Sequence, residues 1–359
     1  MQKKTILHFI YLLGRGGAET MLVRVIKELP EYNNVVVEMY GENSFGNELQ
    51  CDKYLSMNLK SLFSLPLAVI KLRQIIKSNH VDMVHTHLFW PTVVARLATP
   101  KKIPLLTTIH TSVLTSIDYK HWHIRVIDKI TYRIRKSVII AVSGNSLKEY
   151  FAFLKLKPFK SHLLYTFVDI EKFNRKKFRK MKSDTKFKLV SVGALRPGKN
   201  FDFLIRVFSK LKNSNIELHI YGAGSMEAHL KKMIDECGAN IILKGEVTNI
   251  VEFLPLYDLY VSASEFEGFS LSVLEAMAMK LPLLLSDIKS FREQCDDTAV
   301  YFDLNSEQDF IKKLNALIAN SDERNSLSEE GQKRVHGNFT LPHHALELKK
   351  IYNESFALP

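Results

Sequence analysis

Cysteine is scarce in this chain: Cys51, Cys237 and Cys295 stand alone among 359 residues, with no paired or metal-ligating spacing. That pattern excludes a disulfide scaffold and a thiolate metal site, and it points to reduced thiols in a cytoplasmic setting. No D-x-D triplet occurs, and His85 and His87 have no third ligand placed beside them, so no metal and no other cofactor is expected. Long apolar runs are missing too; none approaches the roughly 20 residues that a helix needs to cross a bilayer. At the N-terminus Lys3 and Lys4 precede the apolar run Thr5 to Leu13, with the small residues Gly16, Gly17 and Ala18 behind it. This outline is shared with secretory signals. His8 interrupts it, however, and Ala18, Met21, Leu22, Val25, Ile26 and Leu29 recur at helical spacing, so the stretch reads as strand, glycine turn and helix.

What is present is a globular composition, 46% hydrophobic and 25% charged, over a length that suits two domains of about 150 to 180 residues. Charge divides the chain in the same way. Residues 1–188 hold 32 Lys and Arg against 14 Asp and Glu, net +18, and the remainder holds 18 against 24, net −6. Such asymmetry marks a surface that meets an anionic partner, nucleic acid or membrane. Strand-length apolar runs alternate with helical patterns, the signature of α/β architecture with parallel sheets. The first half predicts strands at Ile6–Leu12, Val35–Tyr40, Met83–His87, Leu105–His110 and Val138–Val142, and helices at Glu19–Leu29, Pro66–Lys77, Thr92–Ala98 and a basic one through 120–135. A lysine-rich stretch, Phe173–Lys188, is the candidate linker. The pattern then restarts with strands Lys188–Val192, Glu217–Tyr221, Ile241–Lys244, Leu259–Ser262 and Leu283–Ser286, and helices Phe201–Leu211, Met226–Glu236, Ile250–Tyr257 and Leu271–Met279. Two doubly wound domains are expected, residues 1–168 and 169–340, with a C-terminal helix at 341–359 returning to the first. Open sheets of this type bind ligands at the carboxyl ends of their strands, which suggests two such edges facing across a cleft.

The chemistry gathers at those ends. Gly14-Arg15-Gly16-Gly17-Ala18-Glu19 is a glycine turn between strand and helix, where free N–H groups and the helix dipole favour a phosphate. It nearly matches G-x-G-x-x-G, with Glu38 placed to receive a ribose, which keeps a dinucleotide-dependent oxidoreductase open; Glu19 at the third glycine position counts against it. The second half carries Glu265-Phe266-Glu267-Gly268-Phe269-Ser270-Leu271-Ser272-Val273-Leu274-Glu275-Ala276-Met277-Ala278. Ser270 suits an N-cap, and Leu271 and Ser272 fall in a first turn whose N–H groups can hold a diphosphate. Glu275 sits in an apolar helix, where a carboxylate is costly unless hydrogen bonded, for example to a ribose diol.

These residues resemble the retaining family 4 glycosyltransferases, which have the GT-B fold of two Rossmann-like doubly wound domains. Glu267 and Glu275, after Ser264 and before Ala276-Met277-Ala278, look like the family's E-x7-E region; Gly16-Gly17-Ala18-Glu19 looks like its G-G-x-E loop. Ala141-Val142-Ser143, Gly193-Ala194-Leu195-Arg196-Pro197-Gly198-Lys199-Asn200, and Val168-Asp169 with Phe173 fit three further motifs. Ala194 stands where the family has arginine, and Arg196 is the candidate substitute; Tyr165-Thr166-Phe167 and Lys280 also depart from the pattern. The resemblance implies transfer of a sugar from a nucleotide-sugar donor, a UDP-sugar by preference, with retention. Loss of a nucleoside diphosphate builds negative charge that cations and oriented N–H groups must stabilise. Lys199 and Arg196 are the candidate cations, with Gly16, Gly17, Ser270 and Leu271 as diphosphate contacts. By resemblance Glu267 meets the transferred sugar near its reacting carbon, Gly268 and Phe269 adjoin that sugar, Glu275 holds the ribose, and His110 touches the donor sugar from the acceptor side. His85 and His87 read as scaffold.

The acceptor is less legible. Lys120, Arg125, Lys129, Arg133, Arg135 and Lys136 interleave with Trp122, Ile124, Val126, Ile127, Ile130 and Tyr132, a basic amphipathic segment that suits anionic lipid. Its apolar stripe could equally pack on its own sheet. A lipid-linked or cell-envelope glycan acceptor is expected, with the protein cytoplasmic and peripheral on the inner face of the cytoplasmic membrane. A nucleic-acid partner is not expected, because no recognisable binding module accompanies the basic half. A nucleotide-sugar epimerase of the same fold remains an alternative.

Overall fold

The computed structural model describes residues 3–41, 43–61, 64–110, 112–113, 118–178, 186–211 and 215–357. They form two compact units, residues 1–166 with 341–359, and residues 167–340.

In the first unit β1 (Thr5–Ile10), α1 (Gly17–Ile26), β2 (Asn33–Glu38), β3 (Lys53–Ser56), α2 (Leu65–Ser78), β4 (Met83–His87), α3 (Phe89–Ala98), β5 (Leu105–Ile109), α4 (Trp122–Ile134), β6 (Val138–Ala141), α5 (Gly144–Leu154) and β7 (Ser161–Leu163) follow one another. The strands make one parallel sheet in the order β3-β2-β1-β4-β5-β6-β7. Its core gathers Leu7, Phe9, Val35, Val37, Leu72 and Val84 under α2 and α3. Each such buried side chain contributes roughly 1.5 to 3 kcal/mol, which is why the strands read as apolar runs.

The second unit contains β8 (Phe187–Val192), α6 (Phe201–Lys210), β9 (Ile216–Tyr221), α7 (Glu227–Cys237), β10 (Ile241–Gly245), β11 (Leu259–Ser262), α8 (Leu271–Ala278), β12 (Leu283–Ser286), α9 (Lys289–Cys295), β13 (Val300–Phe302), α10 (Glu307–Ala319) and α11 (Ser321–Asn338). Its parallel sheet runs β10-β9-β8-β11-β12-β13. Phe203, Phe302 and Phe310 meet at its centre with ring centroids 4.8 to 5.8 Å apart, the first two stacked and Phe310 edge-on to both. The last helix, α12 (Leu341–Phe356), belongs to the first unit.

Two sheets of doubly wound order are therefore as expected from the sequence. One predicted helix is not: residues 250–257 form two short 3₁₀ turns, Ile250–Glu252 and Leu254–Leu256. Pro255 removes a backbone donor in mid-segment and ends the helical ladder. The linker stretch 173–188 lies partly outside the described residues, at 179–185; the rest holds a 3₁₀ turn at Arg175–Lys177 and the start of β8. Among the described residues no helix is long and apolar enough to cross a membrane.

Candidate functional site

In each unit the strand order reverses once, between β1 and β4 and between β8 and β11. Loops leaving such neighbouring strands diverge and open a crevice at their carboxyl ends. In the second unit those loops are Gly193–Asn200 and Ala263–Ser270. Gly193 N donates to Tyr221 O at 2.9 Å and Leu195 N to Ala223 O at 2.9 Å, so the β8 loop lies flat against the β9 loop. Gly222 permits this with φ +143°; a Cβ there would sit 2.0 Å from Gly193 O. Gly193 in turn leaves space for the Lys199 stem, whose Cε would lie 3.1 Å from a Cβ.

The Lys199 ammonium donates to Glu267 Oε1 at 2.5 Å, and Ser264 Oγ donates to the same oxygen at 2.8 Å. Both charged side chains are nearly closed off, Lys199 13% and Glu267 9% exposed. An ammonium has three donors, so this one retains capacity for an anion beside Glu267. Glu265 N donates to Gly198 O at 3.1 Å, tying the two loops together. The guanidinium of Arg196 stands exposed with no partner among the described residues, three positions before Lys199. The structure thus brings Lys199 and Glu267 into one charged pair, which their separation of 68 positions did not announce.

Ser270 is the N-cap of α8, but its hydroxyl accepts from no backbone N–H of the first turn; Oγ lies 3.2 Å from the hydroxyl of Ser272 on the helix instead. This corrects the expected capping chemistry while leaving the helix start, with Leu271 at its first position, where the sequence put it. The backbone of Ser270 is held by Gln294, which accepts from Ser270 N at 2.9 Å and donates to Ser270 O at 2.8 Å. Gln294 is fully buried and was invisible to motif reasoning; nothing in a lone glutamine 24 positions away signals such a clamp. The Phe269 ring is buried with its centroid 5.1 Å from that of Phe339, and Gly268 beside it is buried as well. Glu275 is half-buried on α8. Burial pushes the Tyr260 phenol well up, and the Glu267 and Glu275 carboxylates add to the shift. Tyr260 donates to Ser272 Oγ at 2.9 Å.

In the first unit the same topological position holds imidazoles. His8 on β1 is in register with His85 on β4, and His87 follows on the same face. The sequence offered His85 and His87 without a third ligand; the fold supplies His8, whose ring approaches both. Yet His85 already uses both ring nitrogens, Nδ1 with Tyr352 Oη and Nε2 with Thr108 Oγ1, each at 2.7 Å. Among the described residues, His8 Nδ1 and His87 Nε2 find no partner. The cavity beside them, lined also by Met21, Val25 and Leu348, measures about 20 Å³, room for a single water molecule.

His110 follows β5, and its Nε2 lies 3.1 Å from His87 Nδ1. Part of its surface stays open, but burial of the ring, with His344 nearby, pushes its pKa down to about 3. His8 and His344 are lowered to about 4 by burial, and His85 and His87 are held well below the usual range for the same reason. These rings are neutral hydrogen-bonding groups at neutral pH, and His110 is not a base that titrates near 7. The chain leaves β4 through Leu88 at φ 71° and ψ 172°, a conformation costly for any residue with a side chain.

Gly16 is the N-cap of α1 and Gly17 its first residue. A Cβ on Gly16 would fall 2.4 Å from Glu19 Oε2, so the glycine makes room for that carboxylate, which burial raises in pKa. Glu38 is committed within the fold: it accepts from Leu13 N at 3.0 Å and from the Tyr54 hydroxyl. This removes the ribose partner that the oxidoreductase alternative needs.

Two family models match the chain, "Glycosyltransferase Family 4" over residues 15–172 and "Glycosyl transferases group 1" over residues 172–334. Among curated proteins it is 24% identical over 351 residues to a Campylobacter jejuni N-acetylgalactosamine-N,N'-diacetylbacillosaminyl-diphospho-undecaprenol 4-alpha-N-acetylgalactosaminyltransferase, covering 93% of this chain and 95% of that one. It is 27% identical over 341 residues to the O-antigen biosynthesis glycosyltransferase WbnH of Escherichia coli, covering 94% and 95%. Among solved structures, Anabaena HepE in complex with UDP and glucose superposes with a TM-score of 0.83 at 16% identity over 97% of this chain and 99% of that one.

Proposed function

We propose that this chain, which belongs to the family 4 glycosyltransferases of GT-B fold, transfers a hexosyl group from a UDP-sugar to a lipid-linked or cell-envelope glycan with retention of configuration. The carrying observation is the buried Lys199–Glu267 pair at the strand-order reversal of the second unit, next in sequence to the start of α8. Support for the donor comes from the UDP and glucose bound by HepE, and for the acceptor from the diphospho-undecaprenol substrate and O-antigen pathway named for the two relatives.

In the reaction the bond from the anomeric carbon to the β-phosphate oxygen breaks, the acceptor hydroxyl oxygen bonds to that carbon as its O–H bond breaks, and the proton passes to the leaving diphosphate, on which negative charge gathers. Lys199, the exposed guanidinium of Arg196, the N–H groups at Ser270–Leu271 and the Gly16–Gly17 turn are assigned to that charge, which is where stabilisation lowers the barrier. Glu267 is assigned to the sugar, Glu275 to the ribose diol, and His110, uncharged, to a hydroxyl of the donor sugar. Retention rests on the family likeness. Metal independence rests on the cations: Lys199 and Arg196 supply positive charge where other sites use a divalent ion.

Melting the protein with UDP, UMP, GDP and NADH separates the readings. UDP should raise the melting temperature and NADH should not; a rise with NADH alone would restore the oxidoreductase. A screen of UDP-sugars for hydrolysis then names the donor. Finding the donor sugar epimerised, with no hydrolysis and no transfer, would favour the epimerase.

A further inference from the structure

On the reading that the acceptor is lipid-borne, we propose that the outward face of α4 is a bilayer-insertion surface, with Trp122, Val126, Ile130 and Ile134 entering the interface of an anionic membrane. These four side chains are spaced four apart, so on a helix they drift by only about 40° at each step and form one stripe. All four face solvent, exposed by 77%, 40%, 50% and 58%. The sequence alone left open whether the apolar residues of this segment pack on their own sheet, and the fold divides them. Ile124, Asp128, Thr131 and Tyr132 turn inward, and the stripe is left outside.

Burial of Asp128 fixes which face looks out. Its carboxylate pairs with the fully buried Arg96 of α3 and accepts from the hydroxyls of Tyr119 and Tyr150, while Tyr132 Oη accepts from Phe159 N at 2.9 Å. Asp128 is also the only acid in α4, so the outer face carries cations alone: Arg125, Lys129 and Arg133 on the helix and Lys136 just beyond it. Phe159, 52% exposed with the Lys136 ammonium 5.8 Å from its ring, widens the apolar patch. Tryptophan and isoleucine rimmed by lysine and arginine match the polarity gradient of a lipid interface. A second copy of the chain would bring this positive rim against itself. An anionic bilayer neutralises the rim and covers the stripe together.

The residues bear on the test as well. Arg135 donates to Lys101 O and Ile103 O, so it braces the fold and is not a headgroup ligand. Arg125 lies 4.8 Å over the Phe153 ring, which leaves Lys129, Arg133 and Lys136 as the cations to remove. The chain has two tryptophans, so Trp90→Phe makes Trp122 the sole reporter.

Full-length Trp90→Phe protein is mixed with vesicles of phosphatidylcholine plus phosphatidylglycerol, and with phosphatidylcholine alone. With the anionic vesicles Trp122 fluorescence should shift to the blue and be quenched by lipids brominated on the acyl chain. Trp122→Ser/Ile130→Ser/Ile134→Ser should weaken vesicle binding by at least about tenfold, and Lys129→Gln/Arg133→Gln/Lys136→Gln by about a hundredfold at low salt. High salt should reduce wild-type binding without abolishing it, because insertion of the stripe is not screened. Both triple variants should melt and bind UDP as the wild type does, which separates this inference from the proposed activity. No binding to anionic vesicles, or binding with no blue shift and no loss in the stripe variant, overturns it. So does light scattering that shows a dimer dissolved by the stripe variant, which would make the occupant a second copy.

Discussion

The two units wind their sheets with the same reversal of strand order, yet they fill the reversal point with opposite chemistry. In the second, a lysine and a glutamate are brought together as ions, with the helix start of α8 following in sequence. In the first, His8, His85 and His87 gather where burial keeps them uncharged. Topology supplies a place for a ligand in each; the side chains decide that one place answers to charge and the other to hydrogen bonding and shape. The polarity of the surfaces is reversed. The basic half of the sequence surrounds the neutral imidazoles, and the acidic half surrounds the lysine assigned to the diphosphate.

The severest way to break this contrast is to remove the ion pair. Lys199→Met should lower donor turnover by about 10² to 10³, the cost typical of losing one transition-state donor, and leave Glu267 buried without its cation. Adding Glu267→Gln should restore the melting temperature and not the turnover. If the single variant turns over normally, the charged site is misassigned.

Acid sharpens the contrast. Histidines whose folded pKa lies below the unfolded value of about 6.5 bind protons more readily in the unfolded chain. Their stabilising contribution is therefore present above pH 6.5 and is lost as pH falls toward about 4 for His8 and His344 and about 3 for His110. The first unit should lose stability over that window. In the second unit His219 is lowered by burial, and the lowered carboxylates Glu217, Asp287, Glu307 and Asp309 begin to matter only below about 4.5. Amide exchange should thus show β4 loosening at a higher pH than β11. Equal loosening of the two strands at pH 5 would contradict the contrast.

A smaller effect is expected at Glu275. Glu275→Gln keeps the side chain's size and removes a charged acceptor, so UDP affinity should drop about tenfold with the unliganded melting temperature nearly unchanged. Calorimetric titration would read it, and unaltered affinity would detach Glu275 from the ribose. Smallest of all, excess EDTA should leave donor turnover where it is with Mg²⁺ or Mn²⁺. Activity lost to the chelator and regained with Mn²⁺ would mean that lysine and arginine are not the cations of the site.

Much of this architecture is legible in the sequence because it follows from local periodicity. The apolar runs that became β1, β2, β4, β5, β6, β9, β11 and β12 each fill one buried strand, those of β8 and the edge strand β10 are only partly buried, and the helices between them bury one face. Where the periodicity is weak the sequence misleads or falls silent. The edge strand β3 reads Lys-Tyr-Leu-Ser and is mostly open, so it carries no apolar run. The apolar segment 250–257 imitates a helix until Pro255 interrupts it. The candidate site follows the same rule. Motif resemblance supplied Lys199 and Glu267 one by one, but their pairing across 68 positions depends on β8 lying beside β11. His8 looked like an interruption in an apolar run, since its partners arise only from the register of β1 on β4. Gln294 and Tyr260 act through contacts that no spacing encodes.

The central claim is that the second unit binds the donor through its diphosphate at Lys199, and the energy carried by the β-phosphate tests it most directly. Calorimetric titration of UDP and UMP into the wild type and into Lys199→Met reads that energy as a difference. The account predicts that wild type binds UDP at least about tenfold more tightly than UMP and that the lysine variant nearly erases the gap, since one charge-assisted hydrogen bond is worth roughly 1.5 to 3 kcal/mol. A variant that keeps the full preference for UDP would contradict it and place the diphosphate elsewhere.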